Sequence, residues 1–278
     1  MDYQQSINLN YHQDNLVTVI QQALEESGKA VASLTRDDLR FFDEFHIGGR
    51  AATRELARLA RLAPGTRLLD IGCGIGGPAR TLAAEFGCQV TGVELVESYY
   101  QAAVALTEWV GMSAQVQFRL GSAEALPFED GSFDALWSQH LIMNIADKPA
   151  LFREMRRVLR PGGQVALYEG FAGPLSPPYY PVPWAAGPSI SFLTGQDLLR
   201  QMLADAGFQE EQWRDVTGSS LDWFQQMIDR QTARRAASGP SLLGLHLLLG
   251  PTARLRMDNV RRNLAENRLT IAQAILRG

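Results

Sequence analysis

Lysine and cysteine are scarce in this chain. Of its 26 basic residues only Lys29 and Lys148 are lysine, and Cys73 and Cys88 are its two thiols. Two lone cysteines in 278 residues exclude a disulfide framework and fit a reducing compartment. A basic excess is also missing. The net charge is −4 and the isoelectric point about 5.6, which gives no general attraction for phosphate backbones or anionic lipid. A small molecule is therefore the expected partner, and nucleic acid is not. Long apolar runs are absent: a membrane span needs roughly 20 residues, and the longest candidate here, residues 242–249, is broken by Gly244 and His246. No membrane partner is expected. Asp2, Gln4 and Asn8 stand where an export signal would carry basic residues and then an apolar stretch, so the expected location is cytoplasmic. Internal repeats and low-complexity tracts are missing, and no metal is expected.

What is present is an ordinary folded composition, 46% hydrophobic and 20% charged, which rules out a disordered or fibrous chain. The length suits one large domain, or one domain carrying an elaborated lid. Residues 1–60 read as a helical cap, with Leu16, Val19, Ile20, Ala23 and Leu24 on one face and Leu56, Leu59, Ala60 and Leu62 on another. From Arg67 the pattern changes to short apolar runs alternating with helical stretches. Strands are expected at 68–71, 90–95, 116–120, 135–138 and 164–169, with helices at 78–86, 99–110 and 150–159. That rhythm predicts an α/β fold with a doubly wound, mostly parallel sheet covered on both faces. Six prolines then fall between Pro174 and Pro188, which excludes regular helix or central strand there. A helix at 198–206 ends at Gly207, and residues 209–216 and 269–276 form an expected final strand pair. The helical stretch between those strands, with a Gly239-Pro240 break, is too long for a linker. Residues 61–217 and 268–278 are thus the expected core, and 218–267 a helical lid insertion.

The glycine-rich turn carries the chemistry. Leu68-Leu69-Asp70-Ile71-Gly72-Cys73-Gly74-Ile75-Gly76-Gly77-Pro78 is an apolar strand entering glycines, with Pro78 at the start of a helix. Gly72, Gly74 and Gly77 also satisfy the spacing of a dinucleotide fingerprint, and Glu94 fits its acidic ribose ligand. Asp70 separates the two readings, because a pyrophosphate at this turn would lie beside a fixed negative charge, whereas a ligand with an ammonium and a sulfonium would be attracted. Cys73 reads as a small residue in a tight turn, not as a nucleophile.

Further motifs follow in order: Val93-Glu94-Leu95, Gly121-Ser122-Ala123-Glu124-Ala125-Leu126-Pro127-Phe128, Gly131-Ser132-Phe133-Asp134 and Val158-Leu159-Arg160-Pro161-Gly162-Gly163. With the glycine turn, these resemble the class I S-adenosylmethionine-dependent methyltransferases, over roughly residues 65–169. The resemblance implies a seven-stranded Rossmann-like sheet and S-adenosylmethionine as cofactor. It implies that Asp70, Gly72, Cys73, Gly74 and Gly76 meet the methionyl part, that Glu94 holds the ribose hydroxyls and that Leu95 packs on adenine. Ser122, Ala123 and Glu124 would meet the adenine edge, with Gln139 nearby. Many relatives carry Asp where Ser122 stands.

Asp43-Glu44-Phe45-His46-Ile47-Gly48-Gly49, Ser138-Gln139-His140 and residues 245–250 extend the resemblance toward bacterial small-molecule methyltransferases of the sarcosine and dimethylglycine type. The implied reaction is methyl transfer to a small acceptor, foremost an amine nitrogen, by in-line displacement. A residue titrating near neutrality would help to deprotonate an amine, which draws attention to His140 and, less strongly, His46. Tyr168, Tyr179, Tyr180 and Trp184 are candidates for binding the acceptor, since aromatic faces attract methylated ammonium groups. A monomer or homodimer is expected. A nicotinamide-dependent oxidoreductase and a non-catalytic cofactor-binding partner protein stand as the alternatives.

Overall fold

The computed structural model describes residues 3–238 and 241–278, and the expected Gly239-Pro240 break lies outside them. Four helices precede the sheet: α1 (Tyr3–Tyr11), α2 (Leu16–Glu26), the short α3 (Arg36–Leu39) and α4 (Gly49–Leu59). There follow β1 (Arg67–Ile71), α5 (Gly77–Phe86), β2 (Gln89–Glu94), α6 (Glu97–Trp109), β3 (Val116–Leu120), β4 (Phe133–Gln139), α7 (Lys148–Val158) and β5 (Leu159–Ala172). The remainder is α8 (Gln196–Asp205), β6 (Gln209–Asp215), α9 (Thr217–Ser238), α10 (His246–Leu249), α11 (Ala253–Ala265) and β7 (Leu269–Arg277).

The strands form one sheet in the order β3-β2-β1-β4-β5-β7-β6. Neighbours from β3 to β5 run parallel, and β7 runs antiparallel to both β5 and β6. β1 and β4 are buried along nearly their whole length, as strands covered on both faces must be. The edge strand β6 is instead half-exposed and carries Glu210, Glu211, Arg214 and Asp215, charges that discourage pairing with another chain. One apolar layer, around Phe152, Met155, Leu199 and Leu203, lies under α7 and α8. The opposite face packs on α4, α5 and part of the later helices. A third cluster joins α2 and α6 to Leu243, Leu247 and Leu248.

The seven-stranded, doubly wound architecture agrees with the expected fold class, and the expected final strand pair is β6 with β7. Two details differ. Val19, expected on the buried face of α2, is 38% exposed while Leu16, Ile20, Ala23 and Leu24 turn inward. β5 is longer than residues 164–169, because the antiparallel β7 pairs with it as far as Ala172. The order reverses between β1 and β4, so the connections from these strands leave in opposite directions and open a crevice at their carboxyl ends.

Candidate functional site

The crevice is a cavity walled by the ends of β1, β2 and β4, by the loop after β3 and by α1 from above. α5 begins beside it. Gly76 adopts φ 80° before Pro78 starts the helix, and a Cβ on Gly77 would fall 1.8 Å from the Asp43 carbonyl oxygen. The chain around Asp43 therefore packs directly on the glycine turn, which only Gly77 allows.

Four amides of the turn are used internally. Gly72 and Cys73 N–H groups donate to the Val93 carbonyl at 2.9 and 3.1 Å, and Gly76 donates to Cys73. Gly74 donates to Glu94 Oε2 at 2.8 Å, while Glu94 Oε1 accepts from the Leu95 and Val96 amides at 2.9 and 3.0 Å. Glu94 thus holds the shape of the turn as well as facing the cavity. Burial pushes its carboxyl up from the ordinary value, against the lowering by these three amides. An anion cradle built from the amides of Gly72, Cys73, Gly74 and Gly76 is absent, because each already has a partner.

Asp70 lies at the end of β1, fully buried, and its Oδ2 has no hydrogen-bond partner. Burial, reinforced by Glu94 and Glu44, pushes its pKa up to about 8. The fixed negative charge expected from the sequence is therefore a protonated carboxyl at neutral pH, ready to ionise beside an arriving cation. At the end of the adjacent β4, Gln139 Oε1 accepts from Trp137 Nε1 and Thr53 Oγ1 at 2.8 and 3.2 Å, leaving its buried Nε2 without an acceptor. One unpaired acceptor and one unpaired donor thus face a common cavity from neighbouring strands. Cys73 is buried and pushed well above the ordinary thiol range by burial, which makes it an inert wall residue.

Ser122, Ala123 and Glu124 line the cavity beyond β3. Over them lies α1: Gln4 Nε2 donates to Ser122 Oγ at 3.1 Å and to Glu124 Oε2 at 2.7 Å, and Tyr3 Oη also donates to Glu124. Gly76 is the one expected contact residue of the turn that does not border the cavity; its α-carbon faces Phe118, whose ring a Cβ would meet at 2.5 Å.

Past β4 the cavity widens toward His46 and His140. His46 has both ring nitrogens engaged, Nδ1 with the Ile47 carbonyl at 3.1 Å and Nε2 with Glu44 at 3.2 Å and Thr53 at 3.1 Å. His140 has φ 56°, a left-handed conformation that costs a non-glycine residue about 1–2 kcal/mol. Two interactions hold it there. Its own N–H donates to the Tyr168 carbonyl at 2.9 Å, and Glu169 accepts from the Leu141 and Ile142 amides at 3.0 and 3.1 Å and from Ser138 Oγ at 2.6 Å. Burial, with His46 adding to it, drives the His140 pKa down to about 3, and its Nε2 has no partner. The expectation of a group titrating near neutrality thus fails: desolvation keeps this imidazole neutral.

The aromatic candidates separate. Trp184 borders the cavity. Tyr168 stands behind the histidines, 5.0 Å from the His140 ring and 6.1 Å from His46, with its hydroxyl 3.5 Å from Ser220. Tyr179 and Tyr180 lie away from the cavity. The Tyr179 ring faces the guanidiniums of Arg262 and Arg268 at 3.7 and 4.2 Å, and Tyr180 packs at the margin of the core. Sequence reasoning also passed over Asp43, Tyr11 and Asn144, which face the cavity. Asp43 is buried 3.7 Å from both Arg50 and Arg80, and burial raises it to about 6. It lay inside a quoted motif, whereas nothing in the pattern of α1 or of the loop after β4 marked the other two.

Comparison with known proteins points the same way. Residues 69–167 match the model of a family described as a methyltransferase domain. Phosphoethanolamine N-methyltransferase 1 of Arabidopsis thaliana is 34% identical over 192 residues, covering 67% of this chain and 37% of that protein. The glycine/sarcosine/dimethylglycine N-methyltransferase of Actinopolyspora halophila is 37% identical over 125 residues, 44% of this chain and 22% of the relative. The chain thus spans well under two thirds of the length of these relatives. Among solved structures, Haemonchus contortus phosphoethanolamine N-methyltransferase 2, bound to phosphomonomethylethanolamine and S-adenosylhomocysteine, superposes with TM-score 0.73 at 21% identity, over 100% of this chain and 60% of that one. Geranyl diphosphate C-methyltransferase of Streptomyces coelicolor does so with TM-score 0.70 at 16% identity, over 100% and 98%.

Proposed function

We propose, for a chain whose residues 69–167 belong to the methyltransferase domain family, that it transfers a methyl group from S-adenosylmethionine to a small-molecule acceptor, foremost an amine nitrogen. The observation that carries this reading is the pair of unsatisfied groups on adjacent strand ends, Asp70 Oδ2 and Gln139 Nε2. A buried acceptor beside a buried donor is costly unless a ligand completes both, and the ammonium and carboxylate of an amino acid do so. Glu94 lies where ribose hydroxyls would reach it, Leu95 would pack on the adenine face, and Ser122 with Glu124 would take its edge. S-adenosylmethionine supplies a methyl group on a sulfonium, which departs as a neutral thioether when the acceptor's lone pair attacks.

The chain's own part is alignment and exclusion of water. α1 covers the adenine end, and the neutral His140 Nε2 is free to accept a hydrogen bond from the acceptor's N–H as the nitrogen is oriented toward the methyl group. His46, held by Glu44 and Thr53, buttresses His140 at a ring separation of 6.3 Å. The nicotinamide reading is disfavoured, because the amides of Gly72, Cys73, Gly74 and Gly76 are already engaged and no lysine or arginine is among the described residues lining the cavity to meet a pyrophosphate.

Calorimetric titration with S-adenosylmethionine and with NAD, followed by a screen of amines for release of S-adenosylhomocysteine, tests the proposal. Binding of the sulfonium cofactor with turnover is the expected result. NAD binding alone would favour the oxidoreductase, and cofactor binding without turnover across a broad amine panel would favour a non-catalytic protein.

A further inference from the structure

The acceptor half of the cavity can be read by asking which of its polar groups remain free. Tyr11 Oη donates to Asn144 Oδ1 at 2.9 Å, and Asn144 Nδ2 donates to the Trp184 and Ile190 carbonyls at 3.0 and 2.9 Å. Trp184 Nε1 donates to Ser191 Oγ at 3.0 Å. His46 has both nitrogens engaged. The rest of this end is apolar: Ile47, Met143, Pro183, Leu245, Met257 and Val260. Neither lysine nor arginine is among the described residues that line the cavity, whereas Asp43, Asp70, Glu94 and Glu124 are. A guanidinium does lie close behind the wall. Arg256 gives Nη1 to the Val182 and Pro183 carbonyls at 2.9 and 3.2 Å and Nε to Thr252 at 3.0 Å, so it ties the Pro-rich segment to α11. His140 Nε2 is a buried ring nitrogen without a hydrogen-bond partner, and the other buried side-chain atoms of the cavity's described residues left so are the carboxyl oxygens of Asp43, Asp70 Oδ2 and Gln139 Nε2.

We infer that the acceptor is an apolar molecule bearing a single nucleophilic amine and no carboxylate or phosphate. This rests on the methyltransferase reading above and narrows it. An anionic group entering this end would leave water without meeting a lysine, an arginine or a set of free donors, since both His46 ring nitrogens are already engaged, and such burial is strongly unfavourable. An apolar body meets matching walls, and an N–H of its amine meets His140 Nε2. The acceptor class therefore differs from those in the names of the N-methyltransferases to which the chain is similar, phosphoethanolamine among them.

The test uses matched probes on the full-length protein saturated with S-adenosylhomocysteine: n-octylamine, its omega-aminooctanoate counterpart and phosphoethanolamine, each titrated calorimetrically. Octylamine is expected to bind at least about tenfold more tightly than either anionic probe. Met257→Arg, which adds a cation to the apolar wall, is expected to weaken octylamine and strengthen aminooctanoate. Equal or tighter binding of an anionic probe overturns the inference, as does failure of octylamine to bind the loaded protein. Octylamine affinity unchanged in both Met257→Arg and Trp184→Ala would place its binding elsewhere and overturn the inference as well. Failure of S-adenosylhomocysteine itself to bind is a different result, because it removes the methyltransferase reading on which the inference stands.

Discussion

Asp70 and His140 are buried ionisable groups that the same cause, loss of water, drives toward their neutral forms. Asp70, raised to about 8, is mostly protonated at neutral pH, and a ligand ammonium arriving beside it favours its ionisation. Binding of S-adenosylmethionine near neutral pH should therefore release a proton, seen as a binding enthalpy that varies with the ionisation enthalpy of the buffer. Asp70→Asn should abolish that release and weaken the cofactor by about one to two powers of ten, in line with roughly 1.5–3 kcal/mol for a hydrogen bond to a charged group. Release undiminished in the variant would assign the proton to another group. His140, lowered to about 3, is neutral from about pH 5 upward. His140→Ala should lower the transfer rate far more than cofactor affinity. Neither form should show a rate limb near the reference histidine value of about 6.5 that belongs to this residue. A limb in the native protein that vanishes in the variant would restore it as a titrating base.

At the scale of elements, two parts of the chain close over one crevice. α1 reaches Ser122 and Glu124 through Gln4 and Tyr3. The segment from α10 to α11 lies over the other end, where the Leu248 carbonyl accepts from Tyr99 Oη at 3.2 Å and from Gln13 Nε2. Within the insertion, Phe224 is buried and Leu221 and Met227 pack against the core, so α9 presents the apolar face that its sequence spacing predicts. Leu243, Leu247 and Leu248 bury against α2 and α6, whereas Leu242 is exposed. We propose that α1 and α10 to α11 gate the site, while α9 stays docked. Hydrogen exchange should then show protection gained in α1 and α10 to α11 when S-adenosylhomocysteine and an acceptor amine are both bound, with α9 unchanged. Equal, strong protection in the free and doubly liganded protein would make all of these elements scaffold.

For the molecule as a whole, burial of carboxyl groups sets the pH dependence of stability. Asp43, Asp70 and Glu169 rise to about 6, 8 and 7, each chiefly through desolvation. An acid whose pKa is raised on folding contributes stability that is full below its unfolded value and lost as pH rises through its folded value. The lowered pKa of His140 works in the other direction, its contribution being lost as pH falls below the unfolded histidine value of about 6.5. Above that value the acids dominate until Lys148, which burial lowers to about 8, begins to act against them, so the Tm should fall between about pH 6.5 and pH 7.5 and level off above that. Asp70→Asn should flatten much of that slope. A Tm that rises across this interval would mean that the buried carboxyl groups are ionised in the folded chain.

The order of strands and helices, the glycine turn at a strand end and the acidic residue closing the next strand were legible along the chain, because each depends on local periodicity or on spacing within a few residues. Asp70 and Glu94 could be picked out in the same way, one beside the turn and the other at the end of β2. Only the tertiary structure decided what these groups do. Glu94 binds the turn's own amide, Asp70 is held protonated, His140 is held neutral, and Tyr179 is turned toward two arginines of the following segments. The chain cannot display such facts locally, since desolvation and hydrogen-bond partnership are set by residues tens of positions away. Tyr3 meets Glu124 across 121 positions and Tyr11 meets Asn144 across 133, and no periodicity in α1 encodes either contact. An apolar acceptor end follows from the same kind of fact, because it depends on which polar groups have already found one another once the chain is folded.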